Sequence, residues 1–420
     1  MRRADPVRFY YFSEFWWAFG STVSFTVTGV YFVRELGLNP LELVLVGTVM
    51  ELSVFLFEVP TGVVADTYSR RLSIIVGWVI LGAGIVLVGA VQWYPAVLLG
   101  YAIWGLGWTF TSGAYTAWIT DEVGIDRVGR ILARGQQLSY LGAMLGIGVS
   151  IALALVDLGL AVAAGGALVA LLAVFGALAM PEEGFRRRPP EERENTWREL
   201  RTTASAGGRY VRAQPLLLLI MGIAFFAGAS TESFDRLNEA QFIRNVGLPS
   251  IAGLDSVVWF GIFGLGTLVI GLVASQVLVR RFERVGREGL ARLLFGITAV
   301  QAGAVVVFAL AGNLALALAG FWLYYLTRSL ASPAYDVWLN ENISESSVRA
   351  TVISITNQSD AIGQVGGGPA LGGIGTVFGL RAALVAGGTL LVPALALYGR
   401  AVRRHGCEPE LDQLPTAAET

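Results

Sequence analysis

The sequence predicts an all-α membrane protein: twelve transmembrane helices in two pseudo-symmetric six-helix bundles, with both termini cytoplasmic. Three observations predict it. The first is composition. The 420 residues are 55% hydrophobic and only 15% charged, with mean hydropathy +0.63, against roughly 25% charged in soluble domains. The second is a succession of apolar runs, each near the about 20 residues that cross a hydrocarbon core of ~30 Å. The third is an internal repeat. Ala114-Tyr115-Thr-Ala-Trp118-Ile-Thr-Asp121-Glu122 returns as Ala334-Tyr335-Asp-Val-Trp338-Leu-Asn-Glu341-Asn342, an offset of 220 residues.

The spans fall at 9–33, 41–64, 72–92, 96–119, 131–155, 158–180, 215–238, 255–279, 290–311, 314–339, 350–376 and 379–402. The first is too long for the apolar region of a signal peptide and is expected to remain as a span. Orientation follows from the basic residues, all of them arginine. With a cytoplasmic N-terminus, 25 arginines fall on the cytoplasmic side; Arg34, Arg236, Arg244, Arg328 and Arg381 fall outside or within the membrane. The expected organisation is therefore a first bundle at 1–180, a cytoplasmic linker at 181–214, a second bundle at 215–402 and a cytoplasmic tail at 403–420. The linker, rich in arginine and glutamate, is too short to hold a core of its own.

Several classes are excluded. A net charge of −1 offers nothing to a nucleic acid. The single Cys407 and single His405 lie together in the tail, so there is no disulfide framework, metal site or Ser/His/Asp set. No phosphate-binding G-x-x-x-x-G-K-[ST] loop is present, and no cofactor is expected.

The chain is organised around Glu51 to Arg71. An apolar helix with two carboxylates, Glu51 and Glu58, reads as breaking into a Gly-led charged turn, Gly62-Val-Val-Ala-Asp66-Thr-Tyr-Ser-Arg70-Arg71, before the next span begins. Gly62 would allow close helix contact, and Asp66 can pair with Arg70 one turn later. Gly62-x-x-x-Asp66-x-x-x-Arg70-Arg71 resembles the loop between helices 2 and 3 of the major facilitator superfamily, although Val64, Thr67 and Ser69 replace the usual Leu, Arg and Gly. Glu283-Arg284-Val-Gly286-Arg287 resembles a weak second copy after span 8. What the resemblance implies is a secondary transporter whose halves rock about a central site. Asp66, Arg70 and Arg71 would lock the cytoplasmic face against the end of span 11. Asp121, at the matching end of span 4, joins them as a gating candidate.

Ionisable groups inside spans are costly, ~2.5–3.5 kcal/mol at mid-span on insertion scales, so each needs a reason. Glu14 lies in the inner third of span 1 beside Phe12, Phe15, Trp16 and Trp17. Glu51 sits near mid-depth in span 2, and Glu58 seven residues on, before Pro60. Each reads either as a proton or cation site or as a structural carboxylate bonded to a neighbouring helix. Span 7 ends Glu232-Ser-Phe-Asp235-Arg236-Leu-Asn-Glu239, whose four-residue spacings suggest a local ion-pair network, as an outer gate or as a solvated helix end. Arg328, midway along span 10, needs a carboxylate partner; Asp360 in span 11 and the acids of spans 1 and 2 are candidates. Gly368-Pro369-Ala-Leu-Gly372-Gly373 in span 11 is similar to an antiporter signature that the superfamily carries in span 5. In physical terms it is a glycine-lined, bendable helix.

The expectation is proton-coupled efflux of small amphipathic or drug-like compounds by a plasma-membrane (inner-membrane) transporter. Protons are the coupling ion, and the protein is a monomer in the lipid bilayer. Uptake of an anionic metabolite bound by Arg328 is the alternative within that class, and a non-transporting membrane sensor or scaffold the alternative outside it.

Overall fold

Polar caps and prolines decide where the helices begin. Asp5, Asn39, Ser69, Asp157 and Asn313 each accept a backbone N–H of the first turn, a contact worth about 1 kcal/mol. Pro6, Pro40 and Pro215 take the first helical position, where the missing N–H costs nothing. The computed structural model describes residues 4–185, 205, 208–250, 255–282, 286–343, 345 and 348–405. Most of the expected linker, the tail from 406 on with Cys407, and residues 283–285 of the second turn copy lie outside these, as does the side chain of His405.

Among the described residues there are thirteen α-helices of ten residues or more. The first six are α1 Pro6–Arg34, α2 Pro40–Thr67, α3 Arg70–Ala90, α4 Tyr94–Val123, α5 Ile125–Ala154 and α6 Leu158–Ala179. After the connector come α7 Pro215–Gln241, running into a π-helical turn Phe242–Val246, then α8 Val258–Phe282, α9 Arg287–Leu310, α10 Leu314–Glu341 and α11 Arg349–Phe378. The twelfth expected span is two helices, α12 Leu380–Thr389 and α13 Leu391–His405. Pro393 explains the break: its ring cannot tolerate a helical carbonyl four residues earlier, at Thr389.

Eight of these helices, with α12 and α13 taken as one, are long and apolar enough to cross a membrane. α1, α4 and α11 are as long, 29 or 30 residues, but carry more polar and aromatic residues. The glycine-led turn expected at 62–71 is corrected. α2 continues through Gly62 and Asp66 to Thr67, leaving only Tyr68 and Ser69 between helices.

Small residues let the helices approach at backbone distance. In α3 against α6, a Cβ on Gly82 would meet the Gly166 carbonyl and Ala170 backbone at 2.6 Å. Gly142 and Gly146 of α5 face the α1 backbone at Phe15 and Phe19 in the same way, and Gly363 and Gly367 of α11 face α7 at Phe225 and Ala229.

The apolar core is divided unequally along the membrane normal. At the end carrying the α1–α2 connection, one cluster runs through both halves of the chain, from Val27, Val44 and Val97 to Phe234, Phe308 and Leu384. At the opposite end, the one carrying both termini, the core splits in two. One part gathers on Phe9, Trp78 and Trp118, the other on Leu217, Trp338 and Tyr398. The repeated Trp118 and Trp338 are both fully buried, each beside its own tyrosine, Tyr115 or Tyr335. The helices are thus joined at one end and parted at the terminal end.

Gly82→Leu is expected to overpack the α3–α6 seam and cost about 1–3 kcal/mol, read as a lowered thermal unfolding midpoint in detergent. Gly113→Ala, whose Cβ would meet open space, should leave the midpoint unchanged or slightly raised.

Candidate functional site

At the joined end, α2 lies in a groove between α7 and α11. On α11, a Cβ on Gly368, Gly372 or Gly375 would press on Thr48, Leu41 or Pro40 of α2 respectively. The backbone N–H of Leu41 donates to Thr376 Oγ1 at 3.1 Å, and Arg244 donates to the Leu38 carbonyl at 2.7 Å. Gly373 meets nothing within 4 Å, so of the four expected packing positions it makes no close approach. Pro369 lies inside α11, which continues through it.

Arg34 and Asp255 clamp the same end from outside the bilayer at 2.7 Å, and Arg34 also donates to Ser256 Oγ. Partial burial pushes the Asp255 carboxyl up, but the Val257 N–H and the Arg34 guanidinium outweigh it and hold it below the usual carboxylate range. A lowered carboxylate contributes stability that is full above its unfolded value, about 4, and is lost as pH falls through the lowered one. The clamp is therefore constant across neutral pH.

The ladder on α7 forms the charged centre. Glu232 is all but inaccessible and accepts from Arg236 Nε at 3.1 Å, the expected one-turn pair. This pair rests on α2. A Cβ on Gly47 would collide with both of its side chains, and Arg236 also approaches Met50 Sδ at 3.8 Å. Gly47 carries no motif, so nothing in the sequence singles it out.

The partner expected for Arg328 is corrected. It donates to both carboxylate oxygens of Asp235, at 2.7 and 2.8 Å, while Asp360 accepts from Gln364 Nε2 at 2.7 Å. Spacing within one helix could not reveal this pair, which joins α7 to α10. Arg328 and Asp360 border a polar cavity of about 340 Å³ inside the second half, with Gln301, Tyr335 and Asp336.

Glu239 does not pair within the ladder. It stands over Gly29 of α1 and has no ion-pair partner among the described residues. It is the one charged residue lining a second cavity, of about 240 Å³, between the two halves. Phe25 from α1, Phe260 and Phe263 from α8, and Phe321 and Tyr325 from α10 supply its aromatic walls.

The remaining acids separate. Glu14 accepts from Ser139 Oγ of α5 at 2.6 Å. Glu51 lies within electrostatic reach of Glu232, Arg236 and Asp360. Glu58 is exposed with Phe55, Leu56, Phe57, Val59, Gly62 and Asp66 on the part of α2 nearest the terminal end.

There the charged turn closes on its own half. Arg70 binds Asp121 at 2.5 Å and Asp66 only at 3.8 Å, with Phe185 beneath its guanidinium. Arg71 donates to the Ala177 carbonyl. Glu182, which the sequence reading overlooked, accepts from Ser69 Oγ and the Arg71 N–H at 2.8 Å. Gly62 has nothing within 4 Å, against the expected close contact. No contact from Asp66, Arg70 or Arg71 to α11 is present among the described residues.

Long apolar helices joined at one end, parted at the other and enclosing one cavity at the seam between the halves have the architecture of a membrane transporter rather than an enzyme. The comparisons agree. Residues 11–367 match the family described as Major Facilitator Superfamily, and the chain belongs to it.

A 106-residue stretch is 30% identical to an uncharacterised transporter of this type, YxaM of Bacillus subtilis (strain 168). That match spans 23% of this chain and 25% of the relative. Among solved structures, the nucleoside transporter NupG superposes with TM-score 0.74 at 14% identity, over 95% of this chain and all of that one. A peptide transporter, POT, in complex with alafosfalin gives TM-score 0.72 at 17% identity, over 94% of each chain. A bacterial homologue of the human lysosomal transporter Spinster, inward-facing and unoccupied, gives 0.67 at 16%, over 94% of this chain and 96% of that one. At these identities the likeness concerns the fold.

Removing Arg328 leaves Asp235 without its cation. Because the pair is part-exposed, Arg328→Ala should cost about 1–3 kcal/mol, between surface and buried values. Asp235→Ala with Arg328→Ala should recover much of that loss in thermal unfolding. A double variant no more stable than the single one would overturn the assignment of this pair.

Proposed function

We propose that this transporter exports small amphipathic, drug-like compounds in exchange for protons. The observation that carries the reading is the cavity between the halves, whose walls are aromatic and whose single charged lining residue is Glu239. Rings and one unpaired carboxylate suit an apolar body with a cationic end: the ring faces attract the cation, and the carboxylate becomes its counter-charge. Uptake of an anion at Arg328 has less support, since Asp235 already occupies that guanidinium. The structural relatives carry nucleosides and peptides, and at their low identity these do not transfer.

In this proposal residues 1–180 and 215–402 are the rocking units and the terminal end is cytoplasmic, so the geometry described is open to the cytoplasm. Closing that end would bring the exposed stripe of α2, with Glu58, Gly62 and Asp66, towards α11. Opening the other end would draw α2 away from Arg236. Glu51 then leaves both charges of the Glu232–Arg236 pair as the halves move, so its proton affinity changes with conformation, which is the linkage an antiporter needs. Glu14, tied to Ser139, has a packing role in this scheme.

Inside-out membrane vesicles with an imposed proton gradient test the reading, using cationic dyes as substrates. Wild-type protein should accumulate dye, and Glu51→Gln should abolish gradient-driven accumulation. Glu239→Gln should weaken cationic substrates tenfold or more while sparing neutral ones. Folded protein that accumulates no compound would overturn the export proposal.

The gate has its own test. Asp66 is 61% exposed and only loosely paired, so Asp66→Asn should fold normally and lose transport. Normal rates in that variant would remove Asp66 from the gate.

A further inference from the structure

A third cavity lies away from the transport path. It has a volume of about 280 Å³ and opens at the terminal end between the start of α1 and the start of α5. Tyr11, Asp126, Arg127, Arg130 and Arg134 line it. The arginines follow spacings of three and four on one helix, so their side chains converge. All three are exposed, and none has a side-chain hydrogen bond or ion pair among the described residues. Three cations against the one carboxylate of Asp126 leave the cavity with a net charge of +2. The first half of the chain therefore holds a basic recess that its own structure does not neutralise.

The direction of this recess distinguishes it from the rest of α5. Gly135, Gly142 and Gly146 carry the face packed on α1. Tyr140, Ile147 and Ile151 carry the face turned to α8. Arg127 and Arg134 lie on a third face, which continues at seven- and eleven-residue intervals from Arg134 through Leu141 and Leu145, 53% and 58% exposed. α5 has 30 residues, about ten more than a hydrocarbon core requires, so its arginine-bearing first turns project into the headgroup layer. Guanidinium groups at headgroup depth stand above exposed leucines at acyl-chain depth, on one continuous face.

We propose that this recess binds the phosphate of an anionic phospholipid from the surrounding leaflet. Arg127, Arg130 and Arg134 grip the phosphate oxygens by charge-assisted hydrogen bonds, the Tyr11 hydroxyl is placed to donate a further one, and Leu141 and Leu145 contact an acyl chain. The exposed leucines are what favour a lipid over free phosphate, which would gain nothing from them. The inference needs only that the chain spans a membrane and is independent of the exported compound.

Native mass spectrometry of the full-length protein, delipidated in neutral detergent, tests it by titration with dioleoylphosphatidylglycerol, dioleoylphosphatidylcholine and inorganic phosphate. The expected result is at least tenfold tighter retention of phosphatidylglycerol than of phosphatidylcholine. Arg127→Gln with Arg130→Gln and Arg134→Gln should lose that preference, and Arg130→Gln alone should reduce it if the triple variant does not fold. Equal retention of the two lipids, or a preference that survives the substitutions, would overturn the site. Displacement of phosphatidylglycerol by millimolar inorganic phosphate would overturn the assignment to lipid.

Discussion

The placement of the Glu232–Arg236 ion pair against Gly47 is the interaction on which the observed arrangement depends. A buried pair is tolerable only when both charges are held in good geometry. Here α7 supplies both partners one helical turn apart, and α2 contributes a backbone with no side chain in the way. That approach lets α2 lie between α7 and α11, where Gly368, Gly372 and Gly375 admit it from the other side. Backbone proximity made by glycine is a usual device where lipid removes the hydrophobic drive for helices to associate. The same contacts draw both halves of the chain into one core at this end and leave two separate cores at the other.

Charge pairing explains which polar groups remain available. Arg236 is taken by Glu232, Arg328 by Asp235 and Arg34 by Asp255. These three arginines are thus matched within the protein. Glu239 is left over in an aromatic cavity, while Glu51 lies close to a pair it does not join. A carboxylate without an ion-pair partner is costly inside a span, which marks both as candidate functional groups.

At the parted end, polar contacts tie the charged turn to its own half. Glu182, at the beginning of the connector, holds Ser69 and Arg71, and Asp121 holds Arg70. These bonds keep the end of α2 and the start of α3 rigid, which presents the exposed stripe around Asp66 as a fixed surface.

Helical class, membrane setting and superfamily were legible in the sequence because they depend on local quantities: apolar run length, arginine asymmetry, caps, and a turn whose residues stay within a few positions of one another. The repeated Trp118 and Trp338 were legible for the same reason, as were the one-turn Glu232–Arg236 pair and the close-packing character of Gly368 and Gly372, though not the helix they pack against. What only the tertiary structure decided involves residues far apart in the chain. It gave Arg328 to Asp235 rather than Asp360, left Gly62 without a neighbour, carried α2 through the expected turn, divided the last span at Leu390 and placed Glu239 among rings from three helices. Periodicity fixes which way a side chain points from its own axis, but the rotation and separation of neighbouring helices follow from packing summed over the whole bundle. No single stretch of sequence contains that sum.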